Sequence, residues 1–314
     1  MDVKSVLCLM GPTASGKTNL ALDLLSYLDF EIISVDSALI YRGMDIGTAK
    51  PSELILKQAP HRLINTHDPS EIYSAAEFRA DAISAIEEII NKGRIPLLVG
   101  GTMLYFHVLQ QGIARLPPAN FLVREQLKKD LKDFGSNKLH ERLSAVDPVA
   151  AQRIHPNDPQ RILRALEVAK VTGKTLTELQ LIPTFSPLPY VFINIALLPD
   201  DRTLLHKAIA TRFQTMLDLG FIEEVEKLFK RGDLHANLPA IRTVGYRQIW
   251  NYLLNNISYT EMQELAIIAT RQLAKRQLTW LRSWPDLNQL VSNDKENVQK
   301  VIELIKQSFN KKSN

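Results

Sequence analysis

The chain has 314 residues, 45% of them hydrophobic and 23% charged, which is typical of a soluble globular protein with a main domain and a second lobe. No apolar run reaches membrane-spanning length and the N-terminus lacks a signal-peptide layout, so we expect a cytoplasmic protein that makes no membrane contact. As a separate expectation, the protein is a monomer. The single cysteine excludes an internal disulfide, and the net charge of +4 is a weak indication of anionic partners.

A phosphate-binding loop is predicted at residues 11–18 (GPTASGKT). An apolar strand precedes the loop and a helical segment follows it, which is the context that the G-x-x-x-x-G-K-[ST] pattern requires. The glycines let backbone N–H groups and the helix N-terminus face one anion, and Lys17 adds a positive charge. The Thr18 hydroxyl is a candidate magnesium ligand. The loop residues predicted to bind phosphate are Gly11, Thr13, Ala14, Ser15, Gly16, Lys17 and Thr18.

A second apolar strand, residues 31–35, ends at Asp36. Because the carboxyl ends of parallel strands face one ligand crevice, Asp36 is expected beside whatever the phosphate loop binds. Residues 42–51 are rich in turn formers and predict a loop. A short strand at residues 62–67 and an amphipathic helix at residues 74–92 follow.

The next apolar strand, residues 95–99, leads into Gly100, Gly101 and Thr102. Common nucleoside triphosphatases carry an acidic magnesium ligand at this strand end, so the glycines argue against an ordinary ATPase. The two glycines would let substrate approach the backbone closely. Thr102 is either a hydroxyl that faces the substrate or the N-cap of the next helix.

From residue 117 the composition shifts and the sequence predicts helices, and no strand pattern appears before residues 190–198. Beyond Pro199 the sequence predicts helices nearly to the end of the chain. On the helix at residues 260–284 we expect one buried stripe, made of Met262, Leu265, Ala269, Leu273, Trp280 and Trp284. The fold class is therefore α/β, a P-loop-type parallel sheet with a helical insertion and a helical C-terminal region. The predicted domains are 1–116, 117–189 and 190–314.

Basic residues concentrate at residues 160–164, 242–247 and 271–282. Each cluster alone is explained by a solvated helix face. Three clusters in a protein that also has an anion-binding loop favour a long polyanion. Arginine, which stacks on bases and forks onto phosphate, outnumbers lysine in them.

Seven segments resemble those of the bacterial tRNA dimethylallyltransferase family, in unbroken order along nearly the whole chain. They are residues 11–18, 36–41 (DSALIY), 43–51 (GMDIGTAKP), 100–105 (GGTMLY), 160–168 (QRILRALEV), 244–248 (VGYRQ) and 273–281 (LAKRQLTWL). Eukaryotic relatives add a C-terminal zinc finger, which this sequence lacks, so we expect the shorter bacterial form.

This resemblance implies transfer of a dimethylallyl group from dimethylallyl diphosphate to N6 of the adenosine 3′ of the anticodon, with Mg²⁺ as cofactor. It also implies that Asp36 takes the N6 proton, that Thr102 hydrogen-bonds to the base or the transferring group, and that Thr18 carries the magnesium. Lys17 and Arg212 would bind the diphosphate. The implied contacts with the tRNA anticodon stem-loop are Asp36, Ser37, Ala38, Leu39, Thr102, Arg124, Gln160, Arg161, Ile162, Leu163, Arg164, Arg242, Gly245, Tyr246, Arg247, Lys275, Arg276, Gln277, Trp280 and Arg282.

The chemistry supports these roles independently. The lone pair of an exocyclic amine is delocalised, so a carboxylate that accepts its proton helps the new C–N bond to form. An ATP-dependent small-molecule or nucleotide kinase shares the loop and the strand-end acid, and it is the main alternative. A switch GTPase would need an N-K-x-D motif, which is absent from the sequence. A non-catalytic tRNA-binding module leaves Asp36 unexplained.

Overall fold

The computed structural model describes residues 4–114, 116–182 and 187–310. The chain forms two compact units: unit 1 is Met1–Gln110 with Pro189–Asn314, and unit 2 is Gln111–Leu188. The domain limits at residues 117 and 189 stay a prediction. The predicted domains also contain residues 1–3, 115, 183–186 and 311–314, which lie outside the described residues.

Unit 1 is built on a six-stranded sheet with the strand order β3-β2-β4-β1-β5-β6. All five strand pairs are parallel. The strands are β1 (Lys4–Met10), β2 (Phe30–Val35), β3 (His61–Arg62), β4 (Ile95–Gly100), β5 (Tyr190–Leu198) and β6 (Leu287–Val291). Residues 6–10 of β1 are all buried, on both faces of the strand, as expected for a parallel sheet covered by helices on both sides. The predicted α/β fold is confirmed.

Strand β6 was not predicted from the sequence. The prediction of helices nearly to the end of the chain is wrong here, because β6 pairs with β5 at the edge of the sheet. Only Leu290 of its five residues is buried. An edge strand with one buried side chain shows neither the alternation nor the apolar run by which strands are found in a sequence.

The helices connect the strands of unit 1 and make up unit 2. They are α1 (Lys17–Leu24), α2 (Glu53–Gln58), α3 (Ala75–Asn91), α4 (Met103–Gln111), α5 (Phe121–Val146), α6 (Pro148–Arg153), α7 (Pro159–Thr172), α8 (Leu176–Leu181), α9 (Arg202–Asp218), α10 (Phe221–Phe229), α11 (Tyr246–Leu253), α12 (Tyr259–Arg282) and α13 (Asn297–Asn310). Of the helices described, none is both long and apolar enough to cross a membrane.

Helix α12 begins at a capping box in which Ser258 and Glu261 each accept a hydrogen bond from the other's backbone N–H. Its buried face differs from the predicted stripe, since Leu265 is 44% and Trp280 38% exposed. The side chains that face inward are Met262, Ala266, Ala269, Ala274, Gln277 and Leu281. Alanines permit close packing of a helix, whereas the sequence pattern gave weight to the larger side chains that lie beside them.

Unit 2 has a core of its own, which includes Leu139, Leu143, Ile162 and Val168. Asp147 connects three of its helices. It follows α5, caps the N-terminus of α6 by accepting a hydrogen bond from Ala150 N, and accepts two more from the backbone and hydroxyl of Thr177 in α8. This helical unit carries one of the three predicted basic clusters.

Candidate functional site

A cavity of about 790 Å³ opens in unit 1. It is lined by the phosphate loop after β1, by residues 36–39 after β2 and by residues 99–104 at the end of β4. The carboxyl ends of three neighbouring strands therefore meet at one cavity, as expected for an open parallel sheet. Helices α9 and α12 also contribute to its wall, through Arg212 and Trp280 among others.

The phosphate loop joins β1 to α1 in the conformation that an anion site requires. Ala14 and Gly16 have the left-handed φ values of 62° and 88°, so the chain turns back on itself before α1 begins at Lys17. Lys17 Nζ donates a hydrogen bond of 2.6 Å to Pro12 O across the loop. Ser292 Oγ, just after β6, donates 3.0 Å to Ser15 O and fixes the loop to the edge of the sheet.

The cavity is lined by three charged side chains that influence one another's pKa: Lys17, Asp36 and Arg212. Burial lowers the pKa of Lys17 to about 7, and the nearby Arg212 acts in the same direction while Asp36 opposes it. Burial also raises the pKa of Asp36, against the effect of backbone hydrogen bonds from Ala38 and Leu39 and of the two cations. The site thus combines a carboxylate of increased basicity with two positive groups.

Thr102 connects the ends of β2 and β4. Its Oγ1 accepts a 3.1 Å hydrogen bond from Ser37 N, and its backbone N donates to Val35 O at 3.2 Å. The hydroxyl therefore holds the residue next to Asp36. Thr102 also directly precedes α4, and its carbonyl oxygen accepts a 2.9 Å hydrogen bond from Tyr105 N, so it occupies the N-cap position of that helix as well.

The space beside the two preceding glycines is already occupied by the protein. A Cβ at Gly100 would collide with Val35 of the adjacent strand, and one at Gly101 would collide with the side-chain amide of Gln277. Their small size permits close packing of β4 against β2 and α12. Both glycines also line the cavity, and close approach of substrate to their backbone stays a prediction.

Gln277, predicted to contact RNA, has a different place in the structure. It is 7% exposed, accepts a 2.9 Å hydrogen bond from Thr13 N and donates one of 2.8 Å to Gly101 O. Its amide thus connects α12 to the phosphate loop and to the end of β4. The loop N–H groups that remain for an anion come from the residues after Thr13. The signal in the sequence was its position on the buried face of α12.

Gln277→Leu is expected to lower the free energy of unfolding by about 2 to 6 kcal/mol, because two backbone groups lose their partner at roughly 1 to 3 kcal/mol each. The matched control is Gln272→Leu on the exposed side of the same helix, where the change should stay within about 0.5 kcal/mol. Urea unfolding of both variants measures the difference, and equal losses would contradict the assigned role.

Apart from Tyr246, the predicted RNA-contacting residues of unit 1 fall into two groups. Those that line the cavity are Asp36, Ser37, Ala38, Leu39, Thr102, Arg242, Gly245, Arg276, Gln277 and Trp280. Arg247, Lys275 and Arg282 are exposed on α11 and α12. Trp280, which is 38% exposed, presents an aromatic ring at the cavity.

Burial changes the interpretation of two of these residues. Tyr246 is fully buried and donates a 2.5 Å hydrogen bond to Glu224, and Ile162 is fully buried in the core of unit 2. Neither side chain has a surface that RNA could reach, so both are reassigned to packing. Leu163 is half-buried and packs against the same core as Ile162.

The arginines of unit 2 are arranged around one buried carboxylate. Glu167, whose side chain is 1% exposed, accepts hydrogen bonds from Arg124 Nε at 3.0 Å and from Arg164 at 2.8 Å. Arg164 also donates to Pro117 O. Gln160 and Arg161 are exposed at the start of α7, and Arg161 pairs with Asp158. The structure thus gives Arg124 and Arg164 a defined orientation within the unit.

The residues at the phosphate loop are compatible with magnesium. The Thr18 hydroxyl and the Asp36 carboxylate line the cavity, and so does Ser34, whose buried Oγ lacks a hydrogen-bond partner. Within residues 4–114, 116–182 and 187–310, no group of three His, Cys, Asp or Glu side chains could hold a metal by itself. Such a donor set suits Mg²⁺, which usually keeps several waters and shares ligands with a bound phosphate.

Comparison with known proteins identifies the family. The model described as IPP transferase matches residues 39–284. The chain belongs to the IPP transferase family. The match begins at Leu39 and covers the strand end at Thr102 and helix α12, and the resemblance stated from the sequence is confirmed.

Relatives and solved structures of this family align with nearly the whole chain. A tRNA dimethylallyltransferase from Coxiella burnetii is 55% identical over 301 residues, which are 96% of this chain and 97% of that protein. The crystal structure of a tRNA isopentenylpyrophosphate transferase from Bacillus halodurans has a TM-score of 0.73 at 34% identity and covers 99% of this chain and 98% of its own. A eukaryotic dimethylallyltransferase acting on tRNA has a TM-score of 0.75 at 25% identity, over 95% of this chain and 78% of its own.

Proposed function

We propose that this protein transfers a dimethylallyl group from dimethylallyl diphosphate to N6 of the adenosine 3′ of the anticodon in tRNA, and releases diphosphate. The observation that carries this proposal is that Asp36, a carboxylate whose pKa is raised by burial, lies in the same cavity as the anion-binding loop and Arg212. Membership of the IPP transferase family supports the same reaction. We expect the protein to act in the cytoplasm as a monomer.

In this reaction the N6 nitrogen forms a bond to the allylic carbon as the bond from that carbon to the diphosphate oxygen breaks. Asp36 accepts the proton that N6 loses, and its raised pKa makes it a stronger base. The hydrogen bond from Ala38 N to Asp36 Oδ1, at 2.8 Å, orients the carboxylate. The Thr102 hydroxyl accepts a hydrogen bond from Ser37 N, next to Asp36, so Thr102 helps to orient the same carboxylate.

The leaving diphosphate takes the electron pair of the broken bond, and its growing charge needs positive groups in fixed positions. Lys17 and Arg212 provide two, and the N–H groups of the loop at the N-terminus of α1 provide the others. Magnesium, when bound, would add positive charge at the diphosphate, and Thr18 and Ser34 would hold it directly or through water. The adenine must leave its stack to enter the cavity.

The apolar part of the cavity suits the group that is transferred. Ile209, Phe213 and Met216 lie on α9 along with Arg212, and Phe221 follows on α10. Dimethylallyl diphosphate joins a hydrocarbon group to a charged diphosphate, so its site needs an apolar surface next to a positively charged one. A nucleotide kinase, the alternative from the sequence, has to bind a phosphate acceptor here instead.

The basic residues outside the cavity are proposed to contact the RNA backbone. Arg164→Gln, Arg247→Gln and Lys275→Gln should each flatten the dependence of log Kd on log salt by roughly 0.7 to 0.9 per lost phosphate contact. Lys57→Gln, an exposed lysine of α2, is the control and should leave the slope unchanged. Filter binding of tRNA over a salt series measures the slopes. Slopes equal to that of the wild type in all three variants would assign these residues to solvated surfaces.

The direct test of the proposed reaction is release of diphosphate. With magnesium and dimethylallyl diphosphate, we expect release only when unmodified tRNA is added. Turnover of ATP that depends on a small-molecule acceptor and is indifferent to tRNA would favour the kinase and overturn the proposal.

A further inference from the structure

Residues 43–51 form a loop whose position determines one side of the catalytic cavity. Gly47, Thr48, Ala49 and Pro51 line the cavity together with the phosphate loop and Asp36. The loop has little regular structure of its own, since the region between β2 and α2 consists of turns and one isolated bridge at Tyr41. Contacts with other parts of unit 1 must therefore hold it in place.

The main contact is a buried carboxylate, Glu224 of α10, which is 8% exposed. Its Oε2 accepts hydrogen bonds from Asp45 N at 2.8 Å and from Ile46 N at 2.7 Å. Its Oε1 accepts from Gly47 N at 3.1 Å and from the Tyr246 hydroxyl at 2.5 Å. Three successive backbone N–H groups thus point at one anion, and the anion is the protein's own side chain.

Packing around this carboxylate leaves the loop no space to shift inward. A Cβ at Gly47 would collide with the ring of Phe221, and Phe221 packs edge to face on Tyr246 at 4.9 Å between ring centroids. Burial and the adjacent Glu224 raise the pKa of the Tyr246 hydroxyl, which therefore stays protonated and donates.

A second connection holds the far side of the loop. Lys50, whose side chain is 3% exposed, donates to Tyr41 O at 2.8 Å, to Asp45 Oδ1 at 2.6 Å and to Asn65 Oδ1 at 2.5 Å. Loss of Glu224 would therefore free the N–H groups of residues 45–47, while Lys50 keeps the Asp45 side chain and the far side of the loop attached.

We propose that Glu224 is a positioning residue, which binds the N–H groups of residues 45–47 and thereby fixes the loop as a wall of the catalytic cavity. The consequence for transfer rests on the proposed function, whereas the structural part does not. Glu224 touches no reacting atom in this account. It acts by holding the loop. It connects that loop to α10, on which it lies, and to α11 through the Tyr246 hydroxyl.

The variant Glu224→Gln tests the structural part. The amide keeps one acceptor oxygen but presents an NH₂ group to N–H donors, so the hydrogen bonds to residues 45–47 cannot all remain. Exchange of these three amides should become about 10 to 100 times faster, the factor expected for hydrogen bonds to a charged group. Glu223→Gln, the neighbouring exposed residue of α10, is the matched control and should exchange as the wild type does.

The catalytic part is tested on the same proteins. For Glu224→Gln we expect kcat/KM for tRNA to fall roughly 10- to 100-fold from misplacement of the wall, while the Kd of inorganic diphosphate stays within about twofold. In Glu224→Ala the three N–H groups lose their anion, so added formate should restore part of both the amide protection and the transfer rate. Glu223→Ala should not respond to formate.

Each result decides between positioning and its alternatives. Unchanged amide exchange in Glu224→Gln, an equal loss of diphosphate binding, or unfolding of both Glu224 variants at the assay temperature would overturn the proposal. Faster exchange with a wild-type kcat/KM would overturn its catalytic part. A wild-type protein that fails to modify tRNA, yet still shows the change in exchange, would instead contradict the proposed function alone.

Discussion

Asp36→Asn is expected to lower the rate of dimethylallyl transfer by about 10² to 10⁴ while both substrates still bind, because a general base acts mainly in the transition state. Asparagine keeps the shape of the side chain, including an oxygen that can accept the hydrogen bond from Ala38 N. It cannot take up the N6 proton. Single-turnover transfer measures the loss, and Asp200→Asn, an exposed aspartate after β5, is the control.

A magnesium titration separates this role from that of a metal ligand. If Asp36 served mainly to hold magnesium, Asp36→Asn would bind diphosphate more weakly and excess magnesium would restore the rate. Near wild-type transfer at high magnesium would contradict the general-base assignment. If Asp36→Asn were fully active at the magnesium concentration that the wild type requires, Asp36 would have no role in the reaction.

The pH profile gives a second reading of the same group. Burial raises the pKa of Asp36, so its protonated and inactive form persists to a higher pH than for an ordinary aspartate. Transfer by the wild type should therefore decline as the pH falls through this raised pKa. The residual activity of Asp36→Asn should lack that acidic limb.

Lys17→Ala is expected to weaken binding of dimethylallyl diphosphate and to slow transfer by about 10² to 10³, the range seen when one fixed charge-stabilising donor is removed. Binding of tRNA should change little, because Lys17 lies within the phosphate loop and donates across it to Pro12 O. Calorimetry with the diphosphate and filter binding with tRNA measure the two affinities separately, and Lys57→Ala is the control. An equal loss of tRNA affinity would contradict separate sites.

Lys17 also predicts a pH dependence of binding. Burial lowers the pKa of Lys17 to about 7, so the side chain loses its charge as the pH rises through neutrality. Since a diphosphate binds the charged form, its Kd should increase above this pH in the wild type relative to Lys17→Ala. Parallel pH profiles for the two proteins would contradict the charge assigned to Lys17.

The parts of the site that the sequence predicted depend on local order along the chain. The phosphate loop follows a buried strand and precedes a helix, and Asp36 and Thr102 each follow an apolar strand. The rule that parallel strands end at one edge then brings these residues together. No long-range contact had to be known for this.

The parts that were missed depend on contacts between residues far apart in the chain. Gln277 bonds to Thr13 across 264 positions, and Glu224 bonds to Asp45 across 179. A glutamine or glutamate on a helix gives no sign in the sequence of which backbone groups it will meet. Similarity to family motifs also did not separate residues that contact substrate from residues that hold the fold, as Tyr246 and Ile162 show.

The most direct test of the account is the identity of the product. The protein is mixed with magnesium, dimethylallyl diphosphate and unmodified tRNA, and the nuclease fragments of the tRNA are analysed by mass spectrometry. The account predicts one dimethylallyl group on one adenosine, the residue 3′ of the anticodon, in the wild type and almost none in Asp36→Asn at the same reaction time. Modification at another nucleotide, or equal modification by both proteins, would contradict it.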